Sequence, residues 1–383
     1  MVGRRVGRAL AVASLGLAAA CGGSSPLPAV GDGSVARDAT PRADAVAPSD
    51  ATPPRPDAGP PDTGGRSDGG APDGSEPADA GAACPVPLAP DLSIIAVNEV
   101  LKFVVTDGSP IEVAVLPASA PSSSAAFQQL TSLSLTGLSG PTRVLARTEA
   151  TGCLQAPFNA VYDVRPTYAP APPDPTTTAV AYDAPAIVGW ATGVESYLPG
   201  PGVTEAQFMM TDQALGPAGT NTLAVLTLGN GGSVTLTFGA PITDGDGWDF
   251  AVYENSFASD VFLELGFVEV SSDGTHFARF DSAFQGTEAP GGNSSGTAAQ
   301  IGGLAGSYMV GYGTPFDLAA LRNAPLVRDG TVDLTAINYV RIVDIIGDGM
   351  TLDSFGRGII DPLSNGPTAG FDLDGVAVLN QRK

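Results

Sequence analysis

From about residue 90 onward, apolar and polar residues alternate in short runs, and each run is closed by a turn signal. In GSVTLTFGAPI, Val234, Leu236 and Phe238 alternate with Thr235 and Thr237, the period-two pattern of a strand with one buried face. DVFLELGFVEVSSDGTHFARF reads as a strand, a turn at Asp273-Gly274 and a returning strand. INYVRIVDIIGD and FDLDGVAVLN predict two further strands. Upstream, LSIIAVNEVLKFVVTDG, IEVAVLP, LTSLSLTGLSG and TRVLARTEATGC are β-branched runs between Asp-Gly, Ser-Pro and Ser-Gly turns. APFNAVYDVRPTYAPAPPDP adds one more strand and a Pro-rich exit. PFDLAALRN alone reads as a helix, of one or two turns. No ten-residue helix follows each strand, which argues against a parallel α/β sheet. The pattern predicts an all-β chain: a small Ig-like β domain over 84–170, lacking the Trp of an Ig core, then an antiparallel jelly-roll-like β-sandwich over 176–383.

The first 83 residues lack this alternation. Arg4, Arg5 and Arg8 precede an apolar run from Ala9 to Ala20 and then Cys21, the layout of a signal peptide over 1–21 that is too short to span a bilayer. A cysteine directly after small residues resembles the cleavage box of bacterial lipoproteins, which implies that Cys21 is lipidated and holds the protein to a membrane. Residues 22–83 are rich in Pro, Ala, Asp and Gly, with ten acidic and four basic side chains and almost no large apolar ones. Such a segment cannot bury enough surface to fold and is expected to be a solvated linker. As a coil it would span roughly 45 Å. Cys84 and Cys153, the cysteines left in an exported chain, are expected to form a disulfide, contributing about 4 kcal/mol by loop entropy; two buried free thiols are the alternative.

Composition narrows the functional classes. The chain of 383 residues carries 49 Gly, 34 Pro and a formal net charge of −22. That charge argues against a nucleic-acid partner, because phosphate binding needs clustered Lys and Arg. His276 is the single histidine, which leaves little scope for His-based triads or multi-imidazole zinc sites. LGNGG precedes a strand and has no Lys, so it is not a phosphate loop.

Five blocks carry a family resemblance over about residues 185–380: TLGNGGSVTLTFGAPITDGDGWDFAVYENSF, FLELGFVEVSSDG, GLAGSYMVGYGTPFDL, VRIVDIIGDGMTLDSFGRGIIDP and GFDLDGVAVLN. In this order they resemble a group of bacterial secreted and cell-surface proteins of unassigned biochemistry. The resemblance implies an extracytoplasmic β-sandwich in the style of carbohydrate-binding modules, and the last block is similar to the final strand of galactose-binding-like domains. It implies no substrate.

The acids supply the candidate chemistry. In DFAVYEN, alternation sets Phe250, Val252 and Glu254 on one face and Asp249, Ala251, Tyr253 and Asn255 on the other. If Phe250 and Val252 face the core, Glu254 points inward and needs a cation, an arginine such as Arg341, or backbone donors. Asp372 and Asp374 share a face about 6.6 Å apart, and Asp344, Asp348, Asp353 and Asp361 lie in the Gly-rich segment before them. Such an oxygen-rich set suits calcium, with Asp249, Glu254, Asp372, Asp374 and Asp344 as the expected ligands. DGDGWDFAVYEN is not an EF-hand loop, since Trp248, Asp249 and Asn255 occupy its fifth, sixth and twelfth positions. Asp244 and Asp246 fit ordinary Asp-Gly turns. Trp248, Tyr253 and Tyr312 are candidate sugar-stacking residues.

Together these features predict a lipid-anchored protein of the outer membrane or cell surface. Its sandwich would be a non-catalytic, calcium-stabilised module for a carbohydrate or surface polymer. A hydrolase using a pair such as Glu254 and Asp374, or a purely structural envelope component, is the alternative.

Overall fold

Phe158, Ala160, Tyr162 and Val164 all turn to the inside of the Phe158–Val164 strand, and this alternation recurs through the molecule. The computed structural model describes residues 99–105, 108–148, 158–256, 262–290, 295–362 and 366–382, which fall in one compact unit, Ser75–Lys383. Cys21, the linker 22–83, and both Cys84 and Cys153 lie outside the described residues. The fold is all-β, with antiparallel pairing throughout and helix confined to single turns among the described residues. Among the described residues no helix is long and apolar enough to cross a membrane.

A four-stranded sheet forms first, in the order Gln128–Gln129, Ile111–Pro117, Gly140–Thr148, Phe158–Val164. One of its faces packs Val113, Val144, Ala146, Phe158 and Tyr162 against Leu101, Phe103 and Leu135.

The ten-stranded sheet that follows curls on itself. Its first half runs Ala278–Arg279, Gly266–Ser271, Ile337–Asp344, Ser233–Ile242. Its second half runs Asp372–Val378, Phe250–Glu254, Tyr312–Phe316, Val180–Ala181, and the two-residue strand Leu226–Thr227 pairs with the start of Asp372–Val378. The Gly189–Leu198 strand joins them: Gly189 and Trp190 pair with Val378 and Ala377, while Ala191 to Leu198 pair with Ser233–Ile242. Two register shifts along that second pairing bend the ribbon so that both halves face one core. Val234, Leu236, Val340, Ile342, Val268 and Val270 enter it from one side, and Phe250, Val252, Phe316, Val376 and Val378 from the other. Each such side chain contributes on the order of 2 kcal/mol by burial. Phe250 stacks on Phe316 at 5.3 Å, and Phe280 caps the pair at 5.0 Å from Phe316.

The outer face of the second half is also covered. Ala251, Tyr253 and Ala377 pack under Val180, Ile187 and Trp190, so every residue of Phe250–Glu254 and of Asp372–Val378 is buried. Charged groups at the ends of these strands are therefore held inside the protein. The predicted hairpin is present, with Gly266–Ser271 pairing Ala278–Arg279. The helix expected at PFDLAALRN is one 3₁₀ turn, Leu318–Leu321, capped by the Asp317 carboxylate.

Candidate functional site

Five carboxylates from separate segments converge where the two halves of the sheet meet. Glu254 ends its strand opposite Leu373, which brings Asp372 beside it. Asp344 ends its strand opposite Gly266, two residues after Glu264. Asp361 follows Gly358–Ile360, and its carboxylate accepts the Leu265 N–H. All five are buried: Glu254 is 1% exposed, Asp361 2%, and Glu264, Asp344 and Asp372 5% each. Two glycines let the backbone close around them. A side chain at Gly370 (φ +75°) would meet the Asp344 carboxylate at 2.7 Å, and one at Gly306 (φ +80°) would strike the Glu264 carbonyl.

Backbone donors satisfy part of this set. Asp344 accepts the Gly231 and Phe371 N–H groups, both at 2.7 Å. Asp372 accepts the Thr227 hydroxyl, and Glu254 Oε2 accepts the Ser256 N–H at 2.8 Å. Glu254 Oε1 is buried and has no hydrogen-bond partner among the described residues. Among the described residues, no Lys, Arg or His forms an ion pair with any of the five. Desolvation is the main cause of their weakened acidity, and repulsion by the others adds to it for all but Asp344. Asp344 is pushed up to about 6 and Asp372 to about 7, while Glu254, Glu264 and Asp361 rise well above the usual carboxylate range. The Glu264 carboxylate feels Glu254 first, then Asp372, Asp361 and Asp344.

A second acidic group is built differently. Asp244, Asp249 and Asp317 bring one carboxylate oxygen each within 4.8 Å of one another. Asp249 is buried, yet both its oxygens are used. Oδ1 accepts the Gly245 N–H and the Asn380 side-chain amide, each at 2.9 Å, and Oδ2 accepts the Leu318 N–H at 2.7 Å. Asp317 accepts the Ala319 N–H, and Asp244 is exposed. Burial pushes Asp249 and Asp317 up to about 6 in spite of these bonds. Asp249 thus ties together the Asp244–Gly247 turn, the Leu318–Leu321 turn and the C-terminal strand exit.

The sequence-derived set is therefore split. Glu254, Asp344 and Asp372 come together. Asp249 belongs to the second group, and Asp374 accepts the Gly219 N–H at 2.8 Å beside Tyr253. Arg341 is no partner for Glu254. It pairs with Glu269, directly across the strand pair, which Arg279 also holds at 2.7 Å. Asp353, likewise expected near the acids, is held by Arg357 at 2.8 Å. Asp348 is exposed and accepts the Met350 N–H, an ordinary turn bond. Sequence reasoning missed Glu264. Its signal is a lone charge between Leu263 and Leu265, both fully buried.

A groove of about 90 Å³ opens where Tyr168 meets the larger sheet. Trp248, Tyr308 and Phe280 line it with Tyr168, and Asp281 and Asp317 supply carboxylates at its wall. The Tyr168 hydroxyl donates to Glu99 at 2.9 Å, and Arg357 holds Glu99 at 3.0 Å, which fixes that wall. Of the three aromatic candidates, Trp248 lines the groove. Tyr253 is completely buried 5.3 Å from Trp190, so its ring cannot receive a sugar face. Tyr312 pairs with Ala181 at the sheet edge and is not part of the lining.

No family model matches the chain, and no curated protein is detectably similar to it.

Proposed function

We propose that the chain is an extracytoplasmic binding module whose groove takes a carbohydrate or an envelope polymer. A lipid on Cys21 would hold it to an outer membrane or cell surface, and residues 22–83 would lift the folded part away from that surface. The observation that carries this reading is the lining of the groove: aromatic side chains with carboxylate and hydroxyl groups beside them. A pyranose ring presents C–H groups to Trp248 and hydroxyls to Asp281, Asp317 and Ser307, which is the mixed apolar and polar lining such a ligand needs. Glu254 and Asp374, the carboxylate pair considered for hydrolysis, line no part of the groove.

The test is a glycan array on the full chain, followed by calorimetric titration of the best ligand. Trp248→Ala is expected to weaken that ligand by tenfold or more, in line with the loss of about 1–2 kcal/mol at a binding hot spot. Absence of any glycan ligand, or equal binding by Trp248→Ala, contradicts this reading. Steady breakdown of the bound glycan would replace it with the hydrolase alternative. Cys21→Ser tests the anchor: release into the soluble fraction is expected, and retention in the membrane fraction contradicts it.

A further inference from the structure

We infer that the chamber formed by Glu254, Glu264, Asp361 and Asp372, backed by Asp344, is a calcium-binding centre that locks the two halves of the curled sheet together. The first support is the unmatched charge. Elsewhere most buried acids are ion-paired or bonded on both oxygens: Glu269 has Arg279 and Arg341, Glu99 and Asp353 have Arg357, and Asp249 has three donors, while Asp374 has the Gly219 N–H. The five chamber carboxylates have no ion pair among the described residues, although an uncompensated charge of this kind is costly to bury.

The second support is Glu254 Oε1. The other oxygen of this carboxylate is fixed by Ser256 N–H at 2.8 Å, while Oε1 is buried with no partner among the described residues. A cation is the group that would satisfy it. Asp344 and Asp361 are already oriented by backbone N–H groups, and Asp372 by the Thr227 hydroxyl, so each presents a fixed acceptor at a strand end.

The donor chemistry selects the ion. Every candidate ligand is a carboxylate oxygen, without His or Cys, which excludes a preference for zinc or copper. Calcium accepts several carboxylates in irregular geometry, whereas magnesium demands a near-octahedral shell at shorter distance. In the ion-free arrangement the chamber acids stand further apart than Asp244, Asp249 and Asp317, the one described trio within 4.8 Å. Calcium would draw in the long side chains of Glu254 and Glu264. Five separate segments would then be joined at one point, from the end of Phe250–Glu254 to the start of Asp372–Val378.

The test is calorimetric titration of the chelator-treated full chain with calcium chloride, with magnesium chloride as a parallel arm and thermal melts of each state. Calcium is expected to bind with a Kd of about 10⁻⁴ M or tighter, and magnesium at least tenfold more weakly. Glu254→Gln, which keeps the shape and removes one charge, is expected to weaken calcium at least tenfold while melting no lower than wild type in chelator. If Glu254→Gln fails to fold, Glu264→Gln gives the same reading. Asp244→Asn, in the other acidic group, should bind calcium as wild type does. A wild-type protein that takes up no calcium and melts identically in chelator overturns the assignment, leaving protonated acids as the chamber's content. Loss of binding in Asp244→Asn with retention in Glu254→Gln moves the site to the second group and overturns it equally.

Discussion

Asp249 and Glu254 flank the same strand, both are buried, and the fold treats them in opposite ways. Asp249 receives three donors from three segments, so its charge acts as a fastener between loops. Glu254 is held only by neighbouring backbone N–H groups, chiefly that of Ser256, lies among four other acids, and keeps a buried oxygen without a partner among the described residues. Desolvation pushes both upward, because burial penalises charge whatever the partners. What separates a structural acid from a ligand-seeking one here is the count of donors against acceptors, not burial or density of charge. The Asp244, Asp249 and Asp317 group looks more like a metal site by oxygen spacing alone, yet its central residue is already satisfied.

Four changes would sharpen or break this contrast, in decreasing order of effect. Asp249→Ala strands three donors and should destabilise the protein by about 3–4 kcal/mol, equally with calcium and with chelator, as read by denaturant unfolding. A calcium-dependent loss there would erase the distinction between the two groups. Removing calcium from the wild-type protein should cost about 2.7 kcal/mol relative to calcium at one hundred times Kd, a fall of roughly 5–10 °C in the melting temperature.

The third change is pH. Folded-state values of about 6 for Asp344 and about 7 for Asp372 lie above the ordinary Asp value near 4, so the metal-free folded state holds protons that the unfolded chain releases. That contribution is complete below about pH 4 and is lost as pH rises through 6 to 7. The chelated protein should therefore melt lower at pH 8 than at pH 5.5, by an amount on the order of 1–3 kcal/mol. Calcium should shrink this slope, leaving the part that Asp249 and Asp317, each at about 6, contribute. A slope unchanged by calcium would detach the chamber from the metal. Asp244→Asn is the smallest effect, within about 0.5 kcal/mol, because the side chain is exposed.

Much of the fold was legible before any coordinates. The alternation in DFAVYEN correctly separated Phe250 and Val252, which enter the main core, from Ala251 and Tyr253, which do not. It could not show that the second face is covered too, and so Tyr253 read as a surface ring although Val180, Ile187 and Trp190 bury it. Glu254 read as an inward carboxylate because its own strand fixes that direction. Its companions depended on strand register, which a single sequence does not state: Arg341 stands across from Glu269, and Asp344 across from Gly266. Glu264 lies inside FLELGF, which the sequence reads as part of a strand that in fact begins at Gly266. That Asp249 stands apart from Glu254, with Asp244 and Asp317, was not legible because its donors, Leu318 and Asn380, are remote in sequence.

The chamber is tested most directly by a crystal structure of the full chain grown with calcium, using the anomalous signal of the ion to locate it. A peak within about 2.3–2.6 Å of oxygens from Glu254, Glu264 and Asp372 is the result the unmatched charge predicts. A chamber without a peak, or a peak between Asp244, Asp249 and Asp317 instead, would contradict it.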